Sequence, residues 1–165
     1  MGPADLVVRP GGVRFAGVTF PCSLGRGGIR ADKREGDGAT PAGLHRIVGM
    51  LWCADRMARP ADWAMPIGPR DLWCDDVGHP AYNRAVSAPF AGSAERLRRA
   101  DPLYDLVLLT DWNWPEARPG RGSAIFLHRW RRPGAPTEGC VAFDPADLAW
   151  IARRVVPGTR VIVGG

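Results

Sequence analysis

The sequence lacks the features that define several protein classes. No stretch approaches the ~20 consecutive apolar residues that a membrane-spanning helix needs, so we expect no membrane span. The start, Met1–Asp5, has neither the basic region nor the apolar region of a signal peptide. There is no H-E-x-x-H pattern and no C-x-x-C pair, so no metal site is expected. Three expectations remain for the chain: it is cytoplasmic, it is exported by a route without a readable signal, or a leader has been removed.

Cysteine and lysine are both scarce. The four cysteines are widely spaced, at Cys22, Cys53, Cys74 and Cys140. Cys53 and Cys74 could pair in an oxidising compartment, although we prefer an interpretation with three inert thiols and one reactive thiol. Lys33 is the only lysine, so the net charge of +5 comes from arginine, which suits carboxylates and phosphates. Since no nucleic-acid-binding motif is present, we expect an acidic peptide partner or a merely solvated surface, and no nucleic acid.

Length and composition favour one domain rich in short elements. The 165 residues suffice for a single core, so we expect one domain over residues 1–165 that acts as a monomer. The 21 glycines and 16 prolines predict many turns rather than long helices. Strands are predicted near residues 6–9, 13–20, 40–50 and 104–110, and short helices at 93–99 and 145–155. The expected fold is mainly β with a few short helices.

Residues 122–144 concentrate the chemistry of the sequence. An apolar run ends in His128, a loop rich in proline and glycine follows, and Gly139 and Cys140 open a second apolar run. Two strands joined by a short loop would place His128 and Cys140 at the same end of a sheet. A thiol beside an imidazole can lose its proton and act as a nucleophile, and the amides around Gly139 can face an oxyanion. The alternative is a buried structural cysteine and a surface histidine.

Residues 123–143 resemble the signature of the L,D-transpeptidase catalytic domain, the YkuD-like family. In that signature a histidine at a strand end is followed by a loop and then by Ser/Thr-x-Gly-Cys and an apolar residue. Here His128 precedes T-E-G-C-V at residues 137–141. Residues 36–43 are similar to an early turn of the family, and residues 157–163 are similar to its last strand. The resemblance implies an L,D-transpeptidase-like catalytic domain, built as a β-sandwich or mixed sheet.

Two positions depart from the family pattern. The family usually has an arginine two residues after the cysteine, where this chain has Ala142, and a small residue after the histidine, where it has Arg129. Together with the short loop between His128 and Cys140, these departures indicate an atypical, short proteobacterial branch of the family. The resemblance leaves open what replaces the usual arginine.

The resemblance implies a role for each residue of the motif. Cys140 is expected to attack a peptide carbonyl while His128 accepts the thiol proton and later donates it to the leaving amine. Amides around Gly139 and Cys140 would hold the oxyanion. The main-chain carbonyl of Arg129 would orient the second imidazole nitrogen. This chemistry requires neither a metal nor an organic cofactor.

Substrate contacts are expected from residues outside the motif as well as from its threonine. Basic residues of the glycine-rich segment 25–38 could bind an acidic peptide, or they could form surface salt bridges. Aromatic residues between positions 52 and 90 could line a peptide groove, or they could pack under a long loop. Asn113 and Trp114 are expected near the same sheet end as His128. The expected contacts are Thr137, Trp114, Asn113, Tyr82, Arg30 and Arg34, with Lys33 as a further basic candidate.

The resemblance implies that the protein cross-links peptidoglycan in the periplasm or cell wall. A thioester on Cys140 would pass from a donor stem peptide containing diaminopimelate to an acceptor stem peptide, with the position of the linkage left open. A cytoplasmic L,D-carboxypeptidase that trims stem peptides is the alternative, and the missing leader favours it. A non-enzymatic domain that binds the cell wall or nucleic acid is a third hypothesis, which predicts that Cys140→Ala leaves function untouched.

Overall fold

A computed structural model describes residues 2–164 of the chain. Within these residues the chain forms many short strands and two short helices. The strands are β1 (Leu6–Arg9), β2 (Gly12–Phe15), β3 (Val18–Phe20), β4 (Cys22–Ser23), β5 (Ile29–Arg30), β6 (Thr40–Pro41), β7 (Gly43–Trp52), β8 (Met65–Pro66), β9 (Asp71–Cys74), β10 (Ala85–Ser87), β11 (Ala94–Arg96), β12 (Leu106–Thr110), β13 (Phe126–Arg129), β14 (Val141–Phe143) and β15 (Arg160–Val163). The helices are a 3₁₀ helix (Pro102–Tyr104) and α1 (Pro145–Ala152).

The central element is a mixed sheet of ten strands. Nine of them lie in the spatial order β3-β2-β1-β15-β7-β12-β13-β14-β4, and β8 pairs with β7 at the side of this path. The pairs β1 with β15, β13 with β14 and β7 with β8 are parallel, and the others are antiparallel. Two smaller sheets have the orders β10-β9-β11 and β5-β6. The prediction of a mainly β fold with a mixed sheet is confirmed.

The central strands bury both of their faces. All five residues of β12 are buried, and alternate side chains enter two different hydrophobic clusters. Leu106 and Leu108 belong to the first cluster, together with the buried side of α1, whereas Val107 and Leu109 belong to the second cluster. The segment between β7 and β12 covers the second cluster with Trp73, Leu97 and Tyr104. One face of the sheet is therefore sealed by a helix, and the other by a long irregular segment.

The helix α1 begins where the sequence predicts. The Asp144 carboxylate accepts a hydrogen bond from the Ala146 amide at 2.9 Å, and Pro145 fills the first helical position, where no amide donor is needed. Leu148 and Ile151 are buried in the first cluster. Along residues 2–164 no helix has the length and apolar content needed to cross a membrane.

The helix predicted over residues 93–99 is wrong. Ala94–Arg96 forms β11, which pairs antiparallel with β9 and places Glu95 opposite Trp73. Seven residues are too few for a stable helix of their own, so hydrogen bonding to a neighbouring strand outweighs the local preference. The segment thereby becomes part of the cover over the second cluster.

All four cysteines are free thiols, so Cys53 and Cys74 do not pair. Both of these residues are buried, and the Cys53 thiol lies 3.8 Å from the carbonyl oxygen of Tyr104. Their burial agrees with the structural role that the sequence analysis prefers for three of the four thiols.

Candidate active site

The pairing of β13 with β14 brings His128 and Cys140 together. The two strands are parallel, with Leu127 opposite Val141 and His128 opposite Ala142. Since alternate residues of a strand face opposite sides of a sheet, His128 and Cys140 both lie on the face of the second cluster. This arrangement differs from a simple hairpin, because the exit of one parallel strand and the entry of the next lie at opposite ends. The two residues are nevertheless diagonal neighbours, because Cys140 lies two positions before Ala142, the residue opposite His128.

One imidazole nitrogen of His128 forms a hydrogen bond to the backbone. Its Nδ1 lies 2.6 Å from the carbonyl oxygen of Arg129, which is the orienting partner that the resemblance implies. A carbonyl oxygen can only accept, so Nδ1 carries the proton and Nε2 keeps a free lone pair. Burial lowers the pKa of His128 to about 4, and the guanidinium groups of Arg99 and Arg131 also disfavour the charged ring. His128 is therefore a neutral base at physiological pH.

The thiol of Cys140 is also neutral in this structure. It donates to the carbonyl oxygen of Ala124 at 3.1 Å, and the Phe126 amide donates to the sulfur at 3.4 Å. Burial raises the pKa of Cys140 to about 12. The S–H group thus points to the Ala124 carbonyl rather than to His128, and the two side chains form a neutral pair rather than a thiolate and an imidazolium.

The turn before Cys140 depends on Gly139 and Thr137. Gly139 has a φ of +139°, and a Cβ at this position would lie 2.8 Å from the carbonyl oxygen of Ala39. The Thr137 hydroxyl donates to the Cys140 carbonyl at 2.6 Å and accepts from the Gly139 amide at 3.1 Å. The Gly139 amide is therefore already occupied. The Cys140 amide, by contrast, has no hydrogen-bond acceptor among the described residues, and it is free to bind an oxyanion.

A cavity of about 340 Å³ opens over this pair. One wall is the main sheet and the loop before β14, with Cys140, His128 and Thr137. The opposite wall comes from the segment that covers the second cluster, and it includes Glu95 and Tyr104. The cavity therefore lies between the ten-stranded sheet and its irregular cover, with the candidate nucleophile and base on the same side.

Three of the predicted substrate contacts do not line this cavity. Tyr82 is buried behind its wall, where the hydroxyl donates to Glu35 and accepts from the Gly122 amide at 3.1 Å. Asn113 binds the backbone of its own loop, since its Nδ2 lies 3.0 Å from the carbonyl oxygens of both Arg118 and Gly122. Trp114 is 41% exposed and lies outside the cavity.

The basic residues of the glycine-rich segment also lie elsewhere. Arg30 and Arg34 are exposed and do not line the cavity, and the Arg30 side chain binds the Gly27 carbonyl at 3.3 Å. The Lys33 side chain is only 2% exposed and forms an ion pair with Asp37 at 2.5 Å. Lys33 therefore stabilises its own loop, because its ammonium is enclosed by the protein and is not available to a ligand.

Several cavity residues were not found by sequence reasoning. Glu35 and Asp75 supply carboxylates from irregular segments, and Glu95 supplies one from the strand that was mistaken for a helix. Tyr104 was assigned only to a buried strand, yet its ring lies 5.3 Å from the His128 ring in a T-shaped contact. No local motif or period marks these residues. Only the tertiary fold brings them together.

Asn83 is a further residue that the sequence analysis did not single out. Its Oδ1 accepts from the Ala124 amide at 3.0 Å and from Trp73 Nε1 at 2.9 Å. Its Nδ2 donates to the carbonyl oxygens of Trp112 and Asn113. Asn83 thereby fixes Ala124, whose carbonyl accepts the thiol proton of the candidate nucleophile.

Within residues 2–164 no group of three or more His, Cys, Asp or Glu side chains has the arrangement of a metal site. The cavity presents a thiol and an imidazole, together with carboxylates, guanidinium groups and a free amide. This set suits nucleophilic attack on a carbonyl followed by proton transfer.

Comparisons with known proteins connect this geometry to a family. No curated protein matches the chain. Among solved structures, an L,D-transpeptidase from Mycobacterium smegmatis is similar, with 14% identity and a TM-score of 0.44. That similarity covers 93% of this chain and 52% of the solved chain, so the chain spans about half the length of that protein. The sequence matches the family described as YkuD, the L,D-transpeptidase catalytic domain, over residues 5–163. Because this match extends over nearly the whole sequence, the chain belongs to the L,D-transpeptidase catalytic domain family.

Proposed function

We propose that the protein is a peptidoglycan L,D-transpeptidase in which Cys140 is the nucleophile. The observation that carries the proposal is the shared cavity, in which the thiol lies diagonal to an imidazole whose Nε2 lone pair is free. The family acts on peptidoglycan, and a cavity of about 340 Å³ accommodates a short peptide segment. The donor and acceptor are stem peptides containing diaminopimelate, and the place of action is the periplasm or cell wall.

Acylation begins with movement of the thiol. The S–H group leaves the Ala124 carbonyl and turns to His128 Nε2 as the substrate carbonyl approaches the sulfur. Because the thiol pKa is raised to about 12 and the imidazole pKa is lowered to about 4, a standing ion pair is unfavourable. The proton therefore moves to Nε2 together with the attack. The free amide of Cys140 binds the oxyanion, and His128 then protonates the leaving amine, which leaves a thioester.

The thioester has two chemical outcomes. An amine from a second stem peptide gives a cross-link, either between two diaminopimelate residues or between diaminopimelate and the first residue of a stem. Water gives a shortened stem peptide, which is the carboxypeptidase reaction. Both outcomes use the same acyl-enzyme, so they differ only in which nucleophile the cavity admits. Carboxylates on the cavity wall can bind an amine, which supports the first outcome.

Incubation with purified muropeptides tests the proposal. We expect the wild type to produce cross-linked dimers that mass spectrometry detects, and a carbapenem to leave its mass on the peptide that contains Cys140. Cys140→Ser should abolish both results. Cys22→Ser is the matched control, because Cys22 is a partly exposed thiol outside the cavity and its loss should change neither result. An active Cys140→Ala variant would overturn the proposal and would support a non-enzymatic binding domain.

A further inference from the structure

Glu95 faces the catalytic pair from the other wall of the cavity. It lies on β11, and its Oε2 accepts a hydrogen bond from the Tyr104 hydroxyl at 2.8 Å. The Tyr104 ring in turn contacts the His128 ring, with the two ring centres 5.3 Å apart. One side chain therefore links the carboxylate to the imidazole. The sheet that carries Glu95 is separate from the sheet that carries Cys140, so the fold builds this arrangement from both walls.

The second oxygen of Glu95 is available to a ligand. Among residues 2–164 no donor lies within hydrogen-bonding distance of Oε1, although Glu95 is partly buried and lines the cavity. Burial raises the pKa of Glu95, and the carboxylates of Asp75 and Glu35 add to the shift. Glu95 Oε1 is therefore open to a donor that enters the cavity.

The other carboxylates of this wall point to a cationic ligand. Glu35 and Asp75 line the same cavity, and Asp75 Oδ1 is a buried oxygen without a hydrogen-bond partner. The nearest guanidinium, that of Arg99, is held by Asp101 at 2.6 and 2.8 Å. Arg96 and Arg131 also line the cavity, and both are exposed. An ammonium group would supply donors to Glu95 Oε1 and Asp75 Oδ1, which accept none from the described residues.

The proposed reaction brings such a group to the cavity. The amine that resolves the thioester is an alkyl ammonium ion at neutral pH, because its pKa is about 10. It must lose one proton before it can attack and a second proton when the new bond has formed. His128 Nε2 can take only one proton at a time, so a second acceptor is needed.

Building on the proposed function, we propose that Glu95 binds the ammonium group of the acceptor substrate and takes its first proton. The carboxylate becomes a carboxylic acid as the ammonium becomes a neutral amine. The amine nitrogen then forms a bond to the thioester carbonyl carbon, and the C–S bond breaks. The second proton passes from nitrogen to His128 Nε2 and then to the departing sulfur of Cys140. Glu95 returns its proton to water, so protons and charge balance over the cycle.

The test measures how the acyl-enzyme divides between an amine and water. Wild type and Glu95→Gln receive a purified tetrapeptide stem as acyl donor and increasing amounts of a tripeptide stem as acceptor, and mass spectrometry quantifies cross-linked and hydrolysed products. Gln keeps the size of the side chain and still accepts from Tyr104, but it has no charge. We expect the ratio of cross-linked to hydrolysed product to fall about tenfold or more; because both products arise from the same acyl-enzyme, any change in acylation cancels from this ratio.

Two controls distinguish the effect of the Glu95 charge on the acceptor from a general effect of the substitution on the enzyme. Glu116→Gln removes the same charge from an exposed loop outside the cavity, and its product ratio should equal that of the wild type. Hydroxylamine is uncharged at neutral pH, so in Glu95→Gln the ratio of its adduct to hydrolysed product should fall far less than the ratio for the tripeptide acceptor. An unchanged product ratio in Glu95→Gln, or equal losses with both nucleophiles, would overturn the inference.

A measurement on the wild type keeps the test independent of the variant's folding. A protonated tertiary amine cannot form a stable amide, but it should compete with the acceptor and reduce cross-linking. The absence of any competition would overturn the role of Glu95. Failure of the proposed function is recognised separately, because a wild type that forms no covalent adduct on Cys140 lacks the acyl-enzyme itself.

Discussion

His128 illustrates how burial sets the charge state of a single residue. The unfolded chain binds a proton on this ring near pH 6.5, whereas the folded protein does so only near pH 4, because burial lowers the pKa. Between these values the unfolded state holds more protons than the folded state. The contribution of His128 to stability is therefore complete above pH 6.5 and is lost as the pH falls towards 4.

The first prediction concerns the pH dependence of stability. We expect His128→Gln to lose about 2 kcal/mol less unfolding free energy than the wild type between pH 7.5 and pH 5, because each pKa unit corresponds to about 1.4 kcal/mol. Urea unfolding at the two pH values measures this difference. His45 is also buried, and its pKa is lowered as well. His45→Gln is therefore a control that removes a second histidine whose pKa shift has the same direction. Equal pH dependence in His128→Gln and the wild type would contradict the prediction.

Residues that belong to a local motif can be identified from the sequence, whereas residues that do not belong to one cannot. Cys140 and His128 lie in one motif within residues 123–143, so the sequence alone points to both as candidates, and the family resemblance implies the Arg129 carbonyl as the partner of the ring. Tyr82 is aromatic and near other aromatics, but it is buried, and its hydroxyl binds Glu35 and the Gly122 amide instead of lining the cavity. Glu95 could not be found, because its role depends on a strand pairing that its own residues do not encode.

Asn83 shows how one side chain joins separate elements. It connects the turn after β9 to the residues that lead into β13, through hydrogen bonds to Ala124, Trp73, Trp112 and Asn113. It also has a φ of +58°, a conformation that asparagine tolerates better than most residues. The cover of the second cluster and the strand that carries His128 are therefore fixed to each other at this point.

The second prediction follows from those hydrogen bonds. Asn83→Gly should lower the free energy of unfolding by about 2–4 kcal/mol, because it leaves buried donors and acceptors without partners, and urea unfolding measures the loss. Gly adopts a positive φ without strain, whereas Ala does not. Any further loss of unfolding free energy in Asn83→Ala relative to Asn83→Gly would therefore measure the cost of the backbone conformation alone. Release of Ala124 should also speed the reaction of Cys140 with iodoacetamide. A stability within ~0.5 kcal/mol of the wild type would show that water replaces the lost contacts.

Helices and strands were predicted best where the residues within the segment specify its secondary structure. α1 carries its own cap in Asp144 and its own starting residue in Pro145, so its beginning could be read directly. β11 has no such signal, and its three residues become a strand only because β9 lies beside them. The order of the main sheet was not predicted for the same reason. The placement of β15 between β1 and β7 joins residues from both ends of the chain, and no local pattern specifies that pairing.

The two hydrophobic clusters share strands of the main sheet. Leu108 points into the first cluster, while its neighbours Val107 and Leu109 point into the second. Neither cluster can lose its strands without exposing the other. We therefore expect residues 1–165 to unfold as one cooperative unit, even though helix α1 and the irregular cover lie on opposite faces of the sheet.

The third prediction tests that coupling with a substitution on one face and a probe on the other. Leu108→Ala should cost about 3 kcal/mol by leaving a void in the first cluster. Because unfolding is cooperative, the urea concentration at which the buried Cys53 thiol of the second cluster becomes labelled should fall as far as the midpoint seen by far-ultraviolet circular dichroism. Val107→Ala, on the Cys53 side, is the matched control and should also move both midpoints together. If Leu108→Ala moved the dichroism midpoint but left Cys53 labelling in place, the two clusters would unfold separately, and the cavity wall would be a subdomain of its own.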